Sequence, residues 1–200
     1  SKGARPLIND PYVLFLGYLE KRKQPGFLIE FFAQSVLRST HKLVIAGPDS
    51  YGHKKELDQI ISRNHLSDRV VFWGAAYGAD KANLLQHAAC FCLPSKAEGQ
   101  PVVLSEAIGA GAPVLYSAGC NFPELAKAGC GVELAGFEVT VWKDALERIC
   151  LAPNVNRQMR KSAAETSKEY TWSLVCQRWQ NLYEKCVMAR TRNSFGLGSG

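Results

Sequence analysis

The stretch at residues 91–115 (FCLPSKAEGQPVVLSEAIGAGAPVL) constrains the fold most, because it predicts a complete strand–helix–strand unit. The apolar run Phe91–Leu93 predicts a short strand. Pro101 suits the first position of a helix, where an N–H is not needed, and the glycine-rich segment from Gly109 to Gly111 suits the end of that helix. Pro113 then opens a second apolar run. A helix that leaves one strand and returns to another predicts a parallel sheet.

The rest of the chain repeats this alternation. Apolar runs predict strands at Tyr12–Leu16, Lys42–Ala46, Arg69–Trp73, Phe91–Leu93, Pro113–Tyr116 and Cys130–Leu134. Helical spacing predicts helices at about 26–37 (with Val36 in the apolar stripe), 54–64, 80–88 with Asp80 as N-cap, 123–128, 139–150, 154–169 and 173–190 with Thr171 as N-cap. We therefore expect an α/β, Rossmann-like, doubly wound and mostly parallel sheet with C-terminal helices at 12–190, between a linker at 1–11 and a disordered tail at 191–200.

Composition excludes several classes of protein. The net charge of +6 comes from scattered residues and not from a basic block interleaved with aromatics, which argues against a nucleic-acid partner. No signal peptide or apolar run of transmembrane length is visible, so we expect a cytoplasmic protein, with a basic balance compatible with contact at the inner face of a membrane. The seven cysteines form no CxxC pair and predict reduced thiols. Cys90 and Cys92 are expected on opposite faces of their strand.

The predicted ligand site lies beyond the carboxyl ends of the strands, where doubly wound sheets bind ligands. Glu98 falls in the loop before the central helix, and Glu106 falls eight residues later, inside that helix. We expect the helix N-terminus to hold phosphate and the carboxylates to hold sugar hydroxyls. Lys23, in the loop after the first strand, is a candidate for contact with the same phosphate. Spacing alone does not separate these roles from those of ordinary solvated side chains.

Several familiar sites are missing from the sequence. No GxGxxG follows the first strand, and neither a GxxxxGK[ST] loop nor a GxSxG elbow occurs, which argues against a dinucleotide fold, a P-loop and a serine hydrolase. The four histidines show no metal-ligand spacing, so no metal site is expected.

These residues resemble the donor-binding signature of retaining GT-B glycosyltransferases of the group 1, or family 4, type. The signature is E-x7-E followed by EA-x-x-x-G-x-PV, which Glu98, Glu106 and the Gly111–Val114 segment match. Five further segments match in collinear order: FLGYLEKRK, VIAGPD, LSDRVVFWGA, NFPEL and YTWSLVCQRWQNLYEK. The resemblance extends over about residues 12–186 and implies the C-terminal, donor-binding domain of a GT-B fold.

The resemblance also implies roles for individual residues. Transfer of a hexose from a nucleotide-diphosphate sugar to a glycan, lipid or other acceptor would use Glu98 at the donor sugar and Lys23 at the diphosphate. Glu106 would accept from the ribose hydroxyls, with no metal and no cofactor other than the donor. Segments near Gly47 and around Phe72 to Gly74 would frame the base. The remaining donor-binding residues implied are Gly17 and the backbone N–H groups of Gly99, Gln100, Val102 and Val103.

Two features depart from the family pattern. Tyr18 occupies the place of the arginine that usually follows the first-strand glycine, which removes one cation, and Arg22 is a candidate to replace it. The chain also has room for only one of the two GT-B domains, so the partner expected, besides a nucleotide sugar, is an N-terminal acceptor-binding domain of the same protein. Alone, the chain should bind donor and show little turnover. A sugar-nucleotide epimerase of the same fold and a non-catalytic nucleotide-sugar-binding or interaction module remain as alternatives.

Overall fold

The computed structural model describes residues 6–50 and 52–195, with side chains described as far as residue 188. Six strands are β1 (Tyr12–Leu16), β2 (Lys42–Ala46), β3 (Val70–Gly74), β4 (Cys90–Leu93), β5 (Val114–Ser117) and β6 (Gly131–Leu134). Eight α-helices in the described ranges are α1 (Pro25–Gln34), α2 (Lys54–Arg63), α3 (Gly78–His87), α4 (Val102–Gly109), α5 (Glu124–Lys127), α6 (Val139–Leu151), α7 (Pro153–Thr166) and α8 (Trp172–Phe195).

The strands form one sheet in the order β3-β2-β1-β4-β5-β6, and every neighbouring pair is parallel. This confirms the predicted doubly wound fold. The chain first moves outward from β1 to β3 and then crosses back to place β4 on the other side of β1. The strand order therefore reverses between β1 and β4, and the loops that leave these two strands diverge there. Such a point opens a crevice at the carboxyl edge of the sheet.

Helices cover both faces of the sheet, which explains why the strands read as continuous apolar runs. Helix α1 packs against α2 and α6, while α4 packs against α3 and α7. Phe27 and Phe31 of α1 meet the fully buried Trp142 of α6 at centroid distances of 5.6 and 5.4 Å. The indole N–H of Trp142 donates to the carbonyl of Gly136 at 2.7 Å, so its polar atom is satisfied inside the core.

Helix α7 is fastened to the loops around β4 by a partly buried arginine. Arg160 donates to the carbonyl oxygens of Ala88, Gln86 (3.3 Å) and Gly111 (3.1 Å). Burial lowers the pKa of this guanidinium from its usual value. These carbonyls lie at or just after the C-terminal ends of α3 and α4. The last carbonyls of a helix have no donor within the helix, and Arg160 supplies one.

The end of α1 and the start of α3 differ from the sequence prediction. Helix α1 ends at Gln34 because Ser35 adopts extended backbone, and a 3₁₀ turn follows; Val36 is 60% exposed, so its predicted place in the apolar stripe was wrong. Helix α3 begins at Gly78, and Tyr77 occupies the N-cap position with no side-chain bond. Asp80 lies in the first turn, where a carboxylate still favours the helix dipole, and is not the N-cap.

The expectation that Cys90 and Cys92 face opposite ways was also wrong. Their sulfur atoms lie 3.9 Å apart, because residues i and i+2 of a strand point to the same face. All seven cysteines are free thiols, and the four in or next to the sheet, Cys90, Cys92, Cys120 and Cys130, are buried. Burial raises the pKa of the Cys90, Cys120 and Cys130 thiols, which makes them poor nucleophiles.

Helix α8 follows Thr171, whose carbonyl accepts from Val175 N–H at 3.0 Å as an N-cap residue would. The helix continues to Phe195, past the domain end predicted at residue 190. Its large apolar side chains face outward, with Trp172 83% and Tyr183 65% exposed. No helix among the described residues combines the length and apolar character needed to cross a bilayer. Of the predicted linker at 1–11 and the predicted disordered tail at 191–200, residues 1–5 and 196–200 lie outside the described residues.

Candidate functional site

Two predicted site residues meet where the strand order reverses. Lys23, in the loop after β1, and Glu98, in the loop after β4, form an ion pair with 2.6 Å between Nζ and Oε1. Both side chains are largely buried, at 12% and 9% exposure. Ser95 donates to the same carboxylate oxygen at 2.8 Å, and Arg22 reaches Oε2 at 3.3 Å. The carboxylate is thus held between the β1 and β4 exit loops by three donors.

The environment of Glu98 keeps this carboxylate ionised. Burial would by itself raise the pKa of the carboxyl group. The hydrogen bonds from Lys23 and Ser95, together with the charges of Lys23 and Arg22, outweigh burial and hold the pKa below its ordinary value of 4.5. At neutral pH Glu98 is therefore an acceptor for hydrogen bonds and not a proton donor.

Backbone bonds hold the loop that carries Glu98 on both sides. On the β1 side, Lys96 N–H donates to the carbonyl of Arg22 at 2.8 Å. On the β5 side, Glu98 N–H donates to the carbonyl of Gly119 at 2.8 Å, and the Ser117 hydroxyl donates to the carbonyl of Ser95. A Cβ on Gly119 would lie 2.3 Å from the carbonyl oxygen of Lys96, so only glycine permits this close approach. Contacts within the protein thus hold the loop in place from both sides.

Gly17 and Gly47, both predicted at the site, lie against each other where β1 and β2 end. Gly47 has a φ of +146°, and a Cβ there would lie 1.9 Å from the carbonyl oxygen of Gly17. Gly47 N–H donates to the carbonyl of Gly74 at 2.7 Å, which brings the exit of β3 to the same place. A Cβ on Gly17 would meet the Lys23 side chain at 3.0 Å. These glycines let three exit loops converge.

Helix α4 begins at Val102, one residue later than predicted, with Pro101 in the N-cap position. The N–H groups of Val102 and Val103 therefore occupy the first turn, where helices lack internal acceptors. Leu104, Ala107 and Ile108 are buried, so the opposite side of the helix, with Glu106, faces outward. Gln100 and Gly99 are exposed, and a Cβ on Gly99 would meet nothing within 4 Å.

Glu106 does not share the cluster of Glu98 but has a cation of its own. Lys81 of α3 places its Nζ 2.6 Å from each carboxylate oxygen of Glu106. The same lysine lines a cleft of about 160 Å³ with Gly17, Tyr18 and Gly47. Sequence reasoning missed Lys81, because a lysine in the first turns of a helix is usually solvated. The only signal was its position soon after the exit of β3.

The exit of β3 contributes to this cleft differently from the prediction. Ala76 and Tyr77 line the cleft, whereas the predicted frame was Phe72 to Gly74. The Phe72 ring instead receives the ammonium of Lys54 at 4.5 Å from its centroid. The loop turns at Gly74, whose φ is +81°, so the residues after this glycine face the cleft.

Where the structure describes their contacts, the histidines bond to other groups within the protein. The His53 ring contacts the carbonyl of Leu19 through Nδ1 at 2.9 Å and links the exits of β1 and β2. His41 is buried, and burial lowers its pKa. Within residues 6–50 and 52–188, no group of three or more histidine, cysteine, aspartate or glutamate side chains is placed to hold a metal ion.

Comparison with known proteins identifies the family. A family model described as "Glycosyl transferases group 1" matches residues 4–166, which is more than half of the chain. The chain belongs to the group 1 glycosyl transferases. The predicted Rossmann-like fold of GT-B type is confirmed by the likeness to solved glycosyltransferases described next.

Two of the relatives of this group 1 chain are full-length proteins that are longer than the chain itself. D-inositol 3-phosphate glycosyltransferase of Mycobacterium tuberculosis (strain ATCC 25618 / H37Rv) is 28% identical over 171 residues, which is 82% of this chain and 35% of the relative. Anabaena HepE, solved with UDP-glucose, has a TM-score of 0.75 and 22% identity, over 93% of this chain and 49% of HepE. The C-terminal domain of the group 1 protein LpcC from Francisella tularensis has a TM-score of 0.71 and 17% identity, over 81% of this chain and 87% of that domain. The chain thus spans about a third to a half of the two longer proteins.

Proposed function

We propose that this chain is the donor-binding, C-terminal half of a retaining glycosyltransferase that takes its sugar from a nucleotide-diphosphate sugar. The observation that carries the proposal is the buried Lys23–Glu98 pair at the point where the strand order reverses. The pair places a cation and an ionised acceptor side by side in the crevice where doubly wound sheets bind their ligands. Membership of the glycosyl transferase family and the UDP-glucose held by HepE support a nucleotide sugar as that ligand.

Each of the proposed site residues would contact a different part of the donor. Glu98, kept ionised, would accept hydrogen bonds from the hydroxyls of the donor sugar. The amides of Gly99 and Gln100 would meet the sugar, and those of Val102 and Val103 would meet the diphosphate at the positive end of α4. The outward carboxylate of Glu106 would then accept from the two ribose hydroxyls.

Lys23 would act on the leaving group. Transfer breaks the bond between the anomeric carbon of the sugar and the terminal diphosphate oxygen, and negative charge grows on that oxygen as the bond breaks. Cations and amide dipoles already fixed at that place lower the barrier because they need not reorganise. Glu98, Ser95 and the cross-linked loops provide this fixed arrangement around Lys23. This mechanism uses only side chains and backbone amides, so we propose that no metal is required.

The rest of the enzyme lies outside this chain. Since the chain covers 35% of the mycobacterial relative and 87% of the isolated LpcC domain, we infer that an N-terminal acceptor-binding domain completes the protein. The outward apolar face of α8, with Trp179 and Leu182, supports a contact with that domain. Hexosyl transfer in the cytoplasm, at or near a membrane face, to a glycan or lipid acceptor is the corresponding proposal for the whole protein. The isolated chain should bind donor but transfer little sugar.

Calorimetric titration of the chain with UDP, GDP and ADP, and with the matching sugar nucleotides, tests the proposal. One of these should bind, and Lys23→Ala or Glu106→Ala should weaken binding. Lys161→Ala and Glu165→Ala, which change exposed residues of α7, are matched controls and should bind as the unmodified chain does.

Two results would overturn the proposal. Binding that survives both Lys23→Ala and Glu106→Ala unchanged would show that the site is elsewhere. Absence of binding of every nucleotide at millimolar concentration would favour a non-catalytic module, which the loss of the usual arginine at Tyr18 makes the main competing function.

A further inference from the structure

The cleft beside Gly17 lacks a cation that the family resemblance implies. Tyr18 stands where the resemblance places an arginine, and it is 51% exposed and lines the cleft with Gly17 and Gly47. A tyrosine hydroxyl carries no positive charge at neutral pH, so this side of the proposed donor site has lost one cation. A diphosphate bound there would need another cation to offset its charge.

The basic residues of the β1 exit loop are already engaged elsewhere. Lys21 pairs with Glu56 at 3.2 Å. Arg22, the replacement expected from the sequence, donates to the carbonyl of Ala97 at 2.7 Å and to the Glu20 carboxylate at 2.9 Å, besides its contact with Glu98. Its guanidinium thus ties the β1 and β4 exit loops together and already has carbonyl and carboxylate partners.

Lys81 is the cation on the Tyr18 side. Of the eight residues that line the cleft in the described part of the chain, Lys81 is the one with a positive charge. Its side chain is 26% exposed, and that of Glu106 is 37% exposed, so the pair is half-sheltered and still partly open to solvent. An ammonium group has three donors, and the contact with Glu106 does not exhaust them.

We propose that Lys81 is the second cation of the nucleotide site and takes over the task that Tyr18 cannot perform. The inference rests on the proposed function. When the nucleotide binds, the ribose hydroxyls take one oxygen of Glu106, and the ammonium of Lys81 turns one of its N–H donors to a diphosphate oxygen. The ion pair with Glu106 holds Lys81 in place, which lowers the entropy lost on binding.

Lys81→Met tests the inference, because methionine keeps most of the length and apolar stem without the charge. The probes are the nucleoside, monophosphate and diphosphate of the base that binds best, titrated by calorimetry. A charged hydrogen bond of this kind corresponds to roughly tenfold or more in affinity. For Lys81→Met we expect an affinity loss of that size for the diphosphate and an affinity loss of less than about threefold for the nucleoside. Lys161→Met on α7 is the matched control, and Lys81→Arg should keep most of the affinity.

A rescue experiment separates charge from structure. Adding Tyr18→Arg to Lys81→Met restores the expected family cation from a different loop, so diphosphate affinity should recover. Equal losses for nucleoside and diphosphate, with no recovery in the double variant, would show that Lys81 merely orients Glu106 and would overturn the inference. Unchanged diphosphate binding by Lys81→Met would overturn it as well.

Thermal unfolding of each variant shows whether it is folded, and Lys81→Arg keeps the test decisive if the methionine variant is not: loss of diphosphate binding in a folded Lys81→Arg protein contradicts the inference. If the unmodified chain binds no nucleotide at all, the proposed function itself fails and the inference fails with it. That result is distinguishable because it appears before any substitution is made.

Discussion

Replacing Gly47 by alanine should destabilise the fold strongly, because two independent penalties act at this position. The new Cβ would lie 1.9 Å from the carbonyl oxygen and 2.6 Å from the carbonyl carbon of Gly17, and these are backbone atoms that no rotamer change can move. The φ of +146° is in addition a conformation that side chains rarely adopt. Such strain costs about 1–3 kcal/mol. With the backbone shift added, we expect a loss of about 3 kcal/mol.

The measurement is thermal unfolding followed by circular dichroism. For a domain of this size, about 3 kcal/mol corresponds to a fall in Tm of roughly 6–12 °C. The matched control is Gly109→Ala in α4, where a Cβ meets nothing within 4 Å. That change should be neutral or should raise stability by up to about 1 kcal/mol. If Gly47→Ala unfolded within about 2 °C of the unmodified chain, the close approach of the β1 and β2 exits would be refuted.

Three further changes probe the site and its supports. The depressed pKa of Glu98 means that this carboxylate contributes stability above its ordinary pKa of 4.5, and that the contribution is lost as pH falls below that value. In urea titrations, the difference in unfolding free energy between the unmodified chain and Glu98→Gln should therefore shrink as pH is lowered from about 5 to about 3. Gly17→Ala should change Tm little but weaken nucleotide binding in calorimetry, since its Cβ displaces the flexible end of Lys23; a large Tm loss would argue against this. Arg160→Met should cost about 2–4 kcal/mol in urea unfolding, because it strands carbonyls that the guanidinium satisfies, and an unchanged unfolding midpoint would contradict it.

The fold was predictable because local pattern and tertiary structure agree in this chain. Strands buried on both faces leave continuous apolar runs, so the ends of β1 and β2 were predicted to the residue. The predicted helix boundaries were wrong where backbone geometry sets the end of the helix. Ser35 adopts an extended conformation and ends α1 before Val36, and the loop after Gly74 starts α3 ahead of Asp80. Neither event leaves a signal in hydrophobic spacing.

The candidate site was predictable as a set of residues but not as a set of contacts. Glu98 and Lys23 were each expected to face a ligand, and the structure shows in addition that they bond to each other. Pairing between residues that far apart in the chain depends on which strands are neighbours, and that order emerges only in the sheet. The Lys81–Glu106 pair was missed for the same reason, since it joins helices that are adjacent only in the folded chain.

The bonds that hold the loop of Glu98 between the β1 and β5 exits limit which substitutions this surface can accept during evolution. Ser95, Ser117 and Gly119 serve both the shape of the crevice and the integrity of the protein, so a substitution at any of them alters two properties at once. Gly99 is different, because a side chain added there would enter open space without disturbing a neighbour. Under the proposed function, we therefore expect that selectivity among donors of different size can be changed at position 99 while the scaffold around it stays intact.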